Sequence, residues 1–288
     1  MKIAIALLAA ALPLAAQARP TAPATPSTPA ARAARLDRDG QTAQARAVWQ
    51  SLIDSAATPA ARAQAQRAMA MSYAFDGDCA NTVKYESLAM DYWHSREAAE
   101  PANAFYQEGE AADEAARVCI DAGDLATAET WYRRGFALGT QEPAPATHPR
   151  SLWDFRLAHA LGRLAARRGD SAAARAQIAA ARRALDGDTA MAAAQEQYFP
   201  YLVGYVALYL NDLPAAESSL SKAIALKGNQ RDPFMHCLLA QTYERQGRAA
   251  DARTMYEQAA ALATGHNPPA AYVIPLVRKK LGSQTGKP

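Results

Sequence analysis

The stretch DPFMHCLLAQTYERQGRAADARTMYEQAAAL, residues 232–262, decides the fold. Asp232 followed by Pro233 reads as a helix start. The Asp side chain can accept from the first backbone N–H groups, and proline suits a first turn where its missing donor is no loss. Leu239, Ala240 and Tyr243 fall on one face of the helix that follows. Gly247 breaks it. Ala252, Tyr256 and Ala259 then come five, nine and twelve residues after that glycine. Small residues at those places let two helices touch, and large ones fill the space between pairs of helices.

The same offsets recur upstream. After Gly123 come Ala128, Tyr132 and Gly135, with Ala116 before it. After Gly169 come Ala174, Ile178 and Ala181, with Leu161 and Gly162 before it. After Asn211 come Ala216, Leu220 and Ala223, with Val203 and Gly204 before it. Asn can stand for Gly at a left-handed turn position. Gly77 heads a degenerate copy: Ala70 and Tyr73 precede it, but Thr82 stands where alanine is expected. Gly40 has only the second half, Ala45, Trp49 and Leu52. The pattern resembles the tetratricopeptide repeat (TPR). The resemblance covers most of residues 60–265 and implies an all-α, right-handed superhelical solenoid of about five to six stacked antiparallel helical hairpins. Single repeats of this kind cannot bury their apolar faces alone and must stack. The turns are spaced 37, 46, 46, 42 and 36 residues apart, against about 34 for the family. The extra residues are expected to lengthen the second helix of one hairpin or the first helix of the next. Residues 266–288 are expected to supply a capping helix, from Pro268 or Pro269 to Gly282, and a loose tail.

Composition agrees with an all-α chain. Half of the 288 residues are hydrophobic, alanine dominates them, and alanine loses no side-chain entropy in a helix. The first residues, MKIAIALLAAALPLAAQARP, have a positive Lys2, a short apolar run from Ile3 to Leu14, and Ala16-Gln17-Ala18. This is the form of a secretory signal peptide over residues 1–18, cut between Ala18 and Arg19. The apolar run is short of the ~20 residues that span a bilayer, and no cysteine near the cut offers a lipid anchor. The expectation is a periplasmic or secreted protein with no stable membrane insertion after cleavage. Residues 19–31 are a Pro-, Ala- and Thr-rich linker. Lys2 is the leader's one charged side chain, so its loss takes 31 bases to 30 against 28 acids. That near-neutrality does not point to nucleic acid.

In QEQYFPYLVGYVALYLND, residues 195–212, Tyr198, Tyr201, Tyr205 and Tyr209 step by three, four and four. On one helix they share a face. Pro200, Val203, Gly204 and Ala207 then face the neighbouring helices, and the tyrosines fall on the strip that lines the concave side of a TPR superhelix. Arg156, His159, Arg163 and Arg167 occupy the matching places on the preceding first helix. Glu110, Asp113, Arg117 and Asp121 occupy them on the one before, and Phe234, Cys237, Gln241 and Arg245 on the one after. Two readings stand. The tyrosines fill the inside of a tight superhelix, or they floor a ligand groove walled by arginine. Tyr and Arg are residues that carry interface energy. The family's carboxylate clamp is not reproduced: its offsets hold Arg67 and Met71, then Asp113 and Arg117.

No phosphate loop, nucleophile elbow or Cys-x-x-Cys is present, and the five histidines show no metal-ligand spacing on one helix. No metal, no cofactor and no enzymatic activity are expected. The leading expectation is an exported scaffold that binds a protein or peptide through its concave groove. A solenoid that binds a small molecule or glycan is the alternative, and an enzyme ranks last. In the expected array Cys79 opens a second helix and Cys119 closes the next first helix. Antiparallel neighbours would bring them together, and an oxidising compartment would let them join. Two buried thiols are the competing outcome. Cys237 has no evident partner.

Overall fold

The computed structural model describes residues 28–282. Among these the chain is all-α, with no strand. Helix α1 (Pro29–Arg38) packs on α2 (Thr42–Asp54), α3 (Pro59–Ala74) on α4 (Cys79–His94), α5 (Pro101–Ala122) on α6 (Leu125–Gly139), and α7 (Arg150–Arg167) on α8 (Ser171–Gly187). A short α9 (Thr189–Gln195) and a 3-10 turn (Glu196–Tyr198) follow. Then α10 (Phe199–Tyr209) packs on α11 (Leu213–Ala225), and α12 (Pro233–Arg245) on α13 (Ala249–Leu262). Helix α14 (Pro268–Gly282) ends the described chain. No helix among the described residues is long and apolar enough to cross a membrane. The signal segment, the cleavage residues Ala18 and Arg19, and the tail from 283 lie outside the described residues. Pro29–Ala31, expected in the linker, belong to α1, whose first turn is capped by Thr28 accepting from Ala31 N.

The breaks are local in origin. Gly40, Gly77, Gly123, Gly169, Asn211 and Gly247 all have positive φ, the left-handed conformation that ends a helix at low cost only for Gly or Asn. In four cases the next residue is an aspartate that restarts the chain. Asp78, Asp124, Asp170 and Asp212 accept from the backbone N–H of Asn81, Thr127, Ala173 and Ala215. Between the paired helices small residues set the spacing. A Cβ on Gly204 would sit 2.6 Å from Leu220 of α11.

Two expectations need correction. Residues 195–209 are not one helix: Tyr198 lies in the 3-10 turn and α10 begins only at Phe199. The extra residues between repeats lengthen a first helix in α5, which has 22 residues, but residues 140–149 form a connection instead. Pro143, Pro145 and Pro149 in that segment remove donors and exclude a helix. The extra length after α8 becomes the separate α9, begun by Asp188 accepting from Met191 N.

Cys79 and Cys119 are joined by a disulfide, which ties the start of α4 to the end of α5. Cys237 is unpaired and buried.

The C-terminal helix reaches across the molecule. Helix α14 packs on α12 and α13, and also touches α1, α3 and α5. Ahead of it, His266 Nε2 lies 2.8 Å from Asp37 Oδ2. Its ring is centred 5.3 Å from that of Trp49 and 5.5 Å from that of Phe75. Asp37 is buried and also accepts from Trp49 Nε1 at 3.0 Å and Ser72 Oγ at 2.6 Å. One core cluster accordingly runs from Met71 and Phe75 through Tyr205 and Phe234 to Val273 and Val277. Helices α3 and α14 thus share one interior, and α1 packs in a separate cluster with Trp49 and Met69.

Candidate functional site

A polar cavity of about 360 Å³ opens between α5, α7, α10 and the start of α12. Its walls are built by the offsets that place residues on the inner strip of each helix. Helix α5 contributes Glu110, Asp113 and Arg117. Helix α7 contributes Arg156, His159 and Arg163. The 3-10 turn and α10 contribute Tyr198 and Tyr201.

The charges in this cavity divide into two groups. Arg156 forms an ion pair with Glu110, and its guanidinium lies 4.9 Å from the centre of the Trp153 ring. Glu114 pairs with Arg67 at 2.9 Å. Asp232 spends its carboxylate on the α12 start, accepting from Phe234 N and Met235 N. These groups are occupied. Arg163 is not: it is 6% exposed, and its contacts are tyrosines. It donates to Tyr132 Oη at 2.9 Å and Tyr201 Oη at 3.3 Å, and its buried Nε has no partner. Its guanidinium also lies 5.4–5.9 Å from the ring centres of Tyr132, Tyr201 and Tyr205. Arg117, on the facing wall, has no hydrogen bond or ion pair.

Burial acts on the other titratable groups here. It holds the His159 imidazole well below its ordinary range, helped by the positive charges of Arg163 and Arg117. His159 is therefore neutral, with a buried Nε2 that has no partner. Burial likewise pushes Asp113 up to about 7, against the attraction of Arg156. At neutral pH the cavity keeps two arginines with no carboxylate at ion-pair distance and one carboxylate that is only partly ionised. The two unpaired guanidiniums can donate to acceptor atoms of a guest.

The expected groove residues therefore separate. Tyr198, Tyr201, Arg156, His159 and Arg163 meet at this cavity, whereas Tyr205, Tyr209 and Arg167 do not line it. Tyr205 is fully buried, so it is core and not groove floor. Its hydroxyl accepts from Arg167 at 3.4 Å, and the Arg167 guanidinium lies 4.8 Å from the centre of the Tyr209 ring. Tyr205 lies in the core cluster that also holds Phe234 of α12 and Val273 of α14. Sequence offsets already aligned Glu110, Asp113 and Arg117 with the arginine strip, but the burial of Tyr205 among distant helices has no local signal.

No protein-family model matches the chain, and no curated protein matches it significantly.

Proposed function

We propose that this protein is an exported TPR-type scaffold that holds a protein or peptide partner by a carboxylate-bearing segment, an acidic side chain or a chain end, seated in the α5–α7–α10 cavity. The observation that carries this reading is Arg163, a buried guanidinium with tyrosine hydroxyls for partners and no carboxylate at ion-pair distance, with Arg117 likewise unpaired across the cavity. A planar anion can take paired N–H donors from such groups. The repeated offsets and the six left-handed turns support the repeat assignment, and with it the superhelical stacking. The leader of residues 1–18 supports export. The mature chain is expected to begin at Arg19, which N-terminal sequencing of exported protein decides, and a full-length membrane-bound product would refute it.

A small anionic ligand is the second reading. The size of the cavity favours it, because about 360 Å³ is within the ~300–1,000 Å³ of small-molecule sites. Capture experiments from an envelope fraction with the wild type and Arg117→Glu separate the two. A protein captured by the wild type and lost in the variant, with helical circular dichroism intact, supports the scaffold. A co-purifying metabolite supports the second reading. A protein prey held equally by both would remove the cavity from the interaction.

A further inference from the structure

At the far end of the α4–α5 pair from the disulfide, three side chains converge that the sequence spacing does not single out. His94 is the last residue of α4, Glu97 lies in the turn after it, and Glu108 lies on α5. One ligand atom from each lies within 4.8 Å of the others. His94 Nδ1 is 2.8 Å from Glu97 Oε1. Glu108 is 3% exposed, and its buried Oε1 has no hydrogen-bond partner. Leaving an oxygen of a buried carboxylate unpartnered is costly, and a second carboxylate beside it makes it more so. Arg134 is the nearby cation on α6, but it sits over Trp131, 4.7 Å from the ring centroid, and forms no ion pair with Glu108. The carbonyls that end α4 add negative potential at the same place.

We propose that His94, Glu97 and Glu108 form a site for a divalent transition-metal ion of the zinc class. One imidazole nitrogen and two carboxylate oxygens suit a borderline ion, whereas calcium and magnesium prefer all-oxygen shells. Zinc bonds of about 2.1 Å place tetrahedral ligand atoms about 3.4 Å apart. The three ligand atoms lie within 4.8 Å of one another, and His94, at 73% side-chain exposure, has room to adjust. The ion would pin the end of the α4–α5 pair opposite Cys79 and Cys119.

The test is isothermal titration of zinc chloride into untagged, disulfide-intact protein stripped with chelator. One equivalent is expected to bind and to raise the melting temperature. His94→Ala and Glu108→Gln should each weaken binding at least ~10-fold, the scale on which even supporting residues of metal sites act, and should abolish the zinc-dependent shift in melting. His94 is at the surface, so its variant folds even if the buried Glu108→Gln change does not. His148→Ala, remote in sequence, should bind as the wild type does. Less than half an equivalent bound by the wild type, or unchanged affinity in His94→Ala, overturns the assignment.

Discussion

Glu86 shows what burial does to a single residue in this protein. It is fully buried, and neither carboxylate oxygen has a hydrogen-bond partner. Arg67 stands 4.0 Å away but is already bonded to Glu114. Burial therefore drives its pKa well above the carboxylate range, and the negative charge of Glu114 adds to the effect. Burial also raises Asp121 to about 6 and Glu108 and Asp113 to about 7. All four hold their protons more tightly folded than unfolded. Their contribution to stability is fully present below the unfolded values near pH 4; for Asp121, Glu108 and Asp113 it is lost as pH rises through 6 to 7, and for Glu86 it is lost as pH rises through its raised folded value. Exposed caps and ion pairs act the other way: Asp124 and Glu129 are lowered by hydrogen bonds, so their contribution is lost at acid pH. The urea midpoint is expected to peak near ~pH 5 and to fall by pH 8. Glu86→Gln should flatten that fall, and a wild-type midpoint that rises from pH 5 to 8 would contradict the account. Tyr205 makes a second case. Because it is core, Tyr205→Ala should cost ~3–5 kcal/mol, as truncating a large buried aromatic does. Tyr205→Phe, which loses only the 3.4 Å contact with Arg167, should cost far less. Urea denaturation of the two variants measures the difference.

At the scale of the element, a left-handed residue followed by a capping aspartate makes four of the helix boundaries. Gly169 isolates the backbone part of that device. Its φ is 75°, and a Cβ built there meets nothing within 4 Å. Gly169→Ala therefore adds no clash and should cost ~1–2 kcal/mol from conformation alone. A melting temperature equal to the wild type's would show that the turn relaxes instead. These boundaries were legible because both parts lie side by side in the chain: Gly123-Asp124 and Gly169-Asp170 need nothing distant to act. The α9 insertion and the start of α10 were less legible. Tyr198 continues the tyrosine spacing, yet its backbone belongs to the turn that links α9 to α10. Periodicity records which residues would share a face if the helix were continuous, and it cannot report the interruption.

For the whole molecule, two devices hold distant segments together. The Cys79–Cys119 bridge closes a loop with a sequence separation of 40. By the chain-entropy model its removal should cost roughly 4 kcal/mol, so Cys79→Ala with Cys119→Ala should match reduced wild type in urea denaturation. Reduced and oxidised protein with equal midpoints would contradict this. The second device is the docking of α14 on α1, α3 and α5. A chain ending at Asn267 leaves Phe75 and Phe234 without the cover of α14. Exposed apolar surface of this kind binds hydrophobic dyes and promotes association, so the truncated chain should melt earlier and bind 8-anilinonaphthalene-1-sulfonate. His266→Ala should produce a smaller shift in melting, since it removes only the link to Asp37 and leaves α14 in place.

The sequence by itself determined the all-α class, the six left-handed turns, the start of α12 at Asp232 and the alignment of Glu110, Asp113 and Arg117 with the arginines of α7. Each follows from residues within one helix, or from an offset of at most thirteen residues around a turn, where local sterics and hydrogen bonding decide the outcome. The tertiary structure alone decided that α14 reaches α1, α3 and α5, that Tyr205 is core while Tyr201 and Arg163 face a cavity, and that His94, Glu97 and Glu108 meet. Those outcomes depend on contacts such as His266 with Asp37, which are 229 residues apart. Contacts of that range arise only once every intervening helix has taken its packing angle, and no short stretch of sequence carries the sum of those angles.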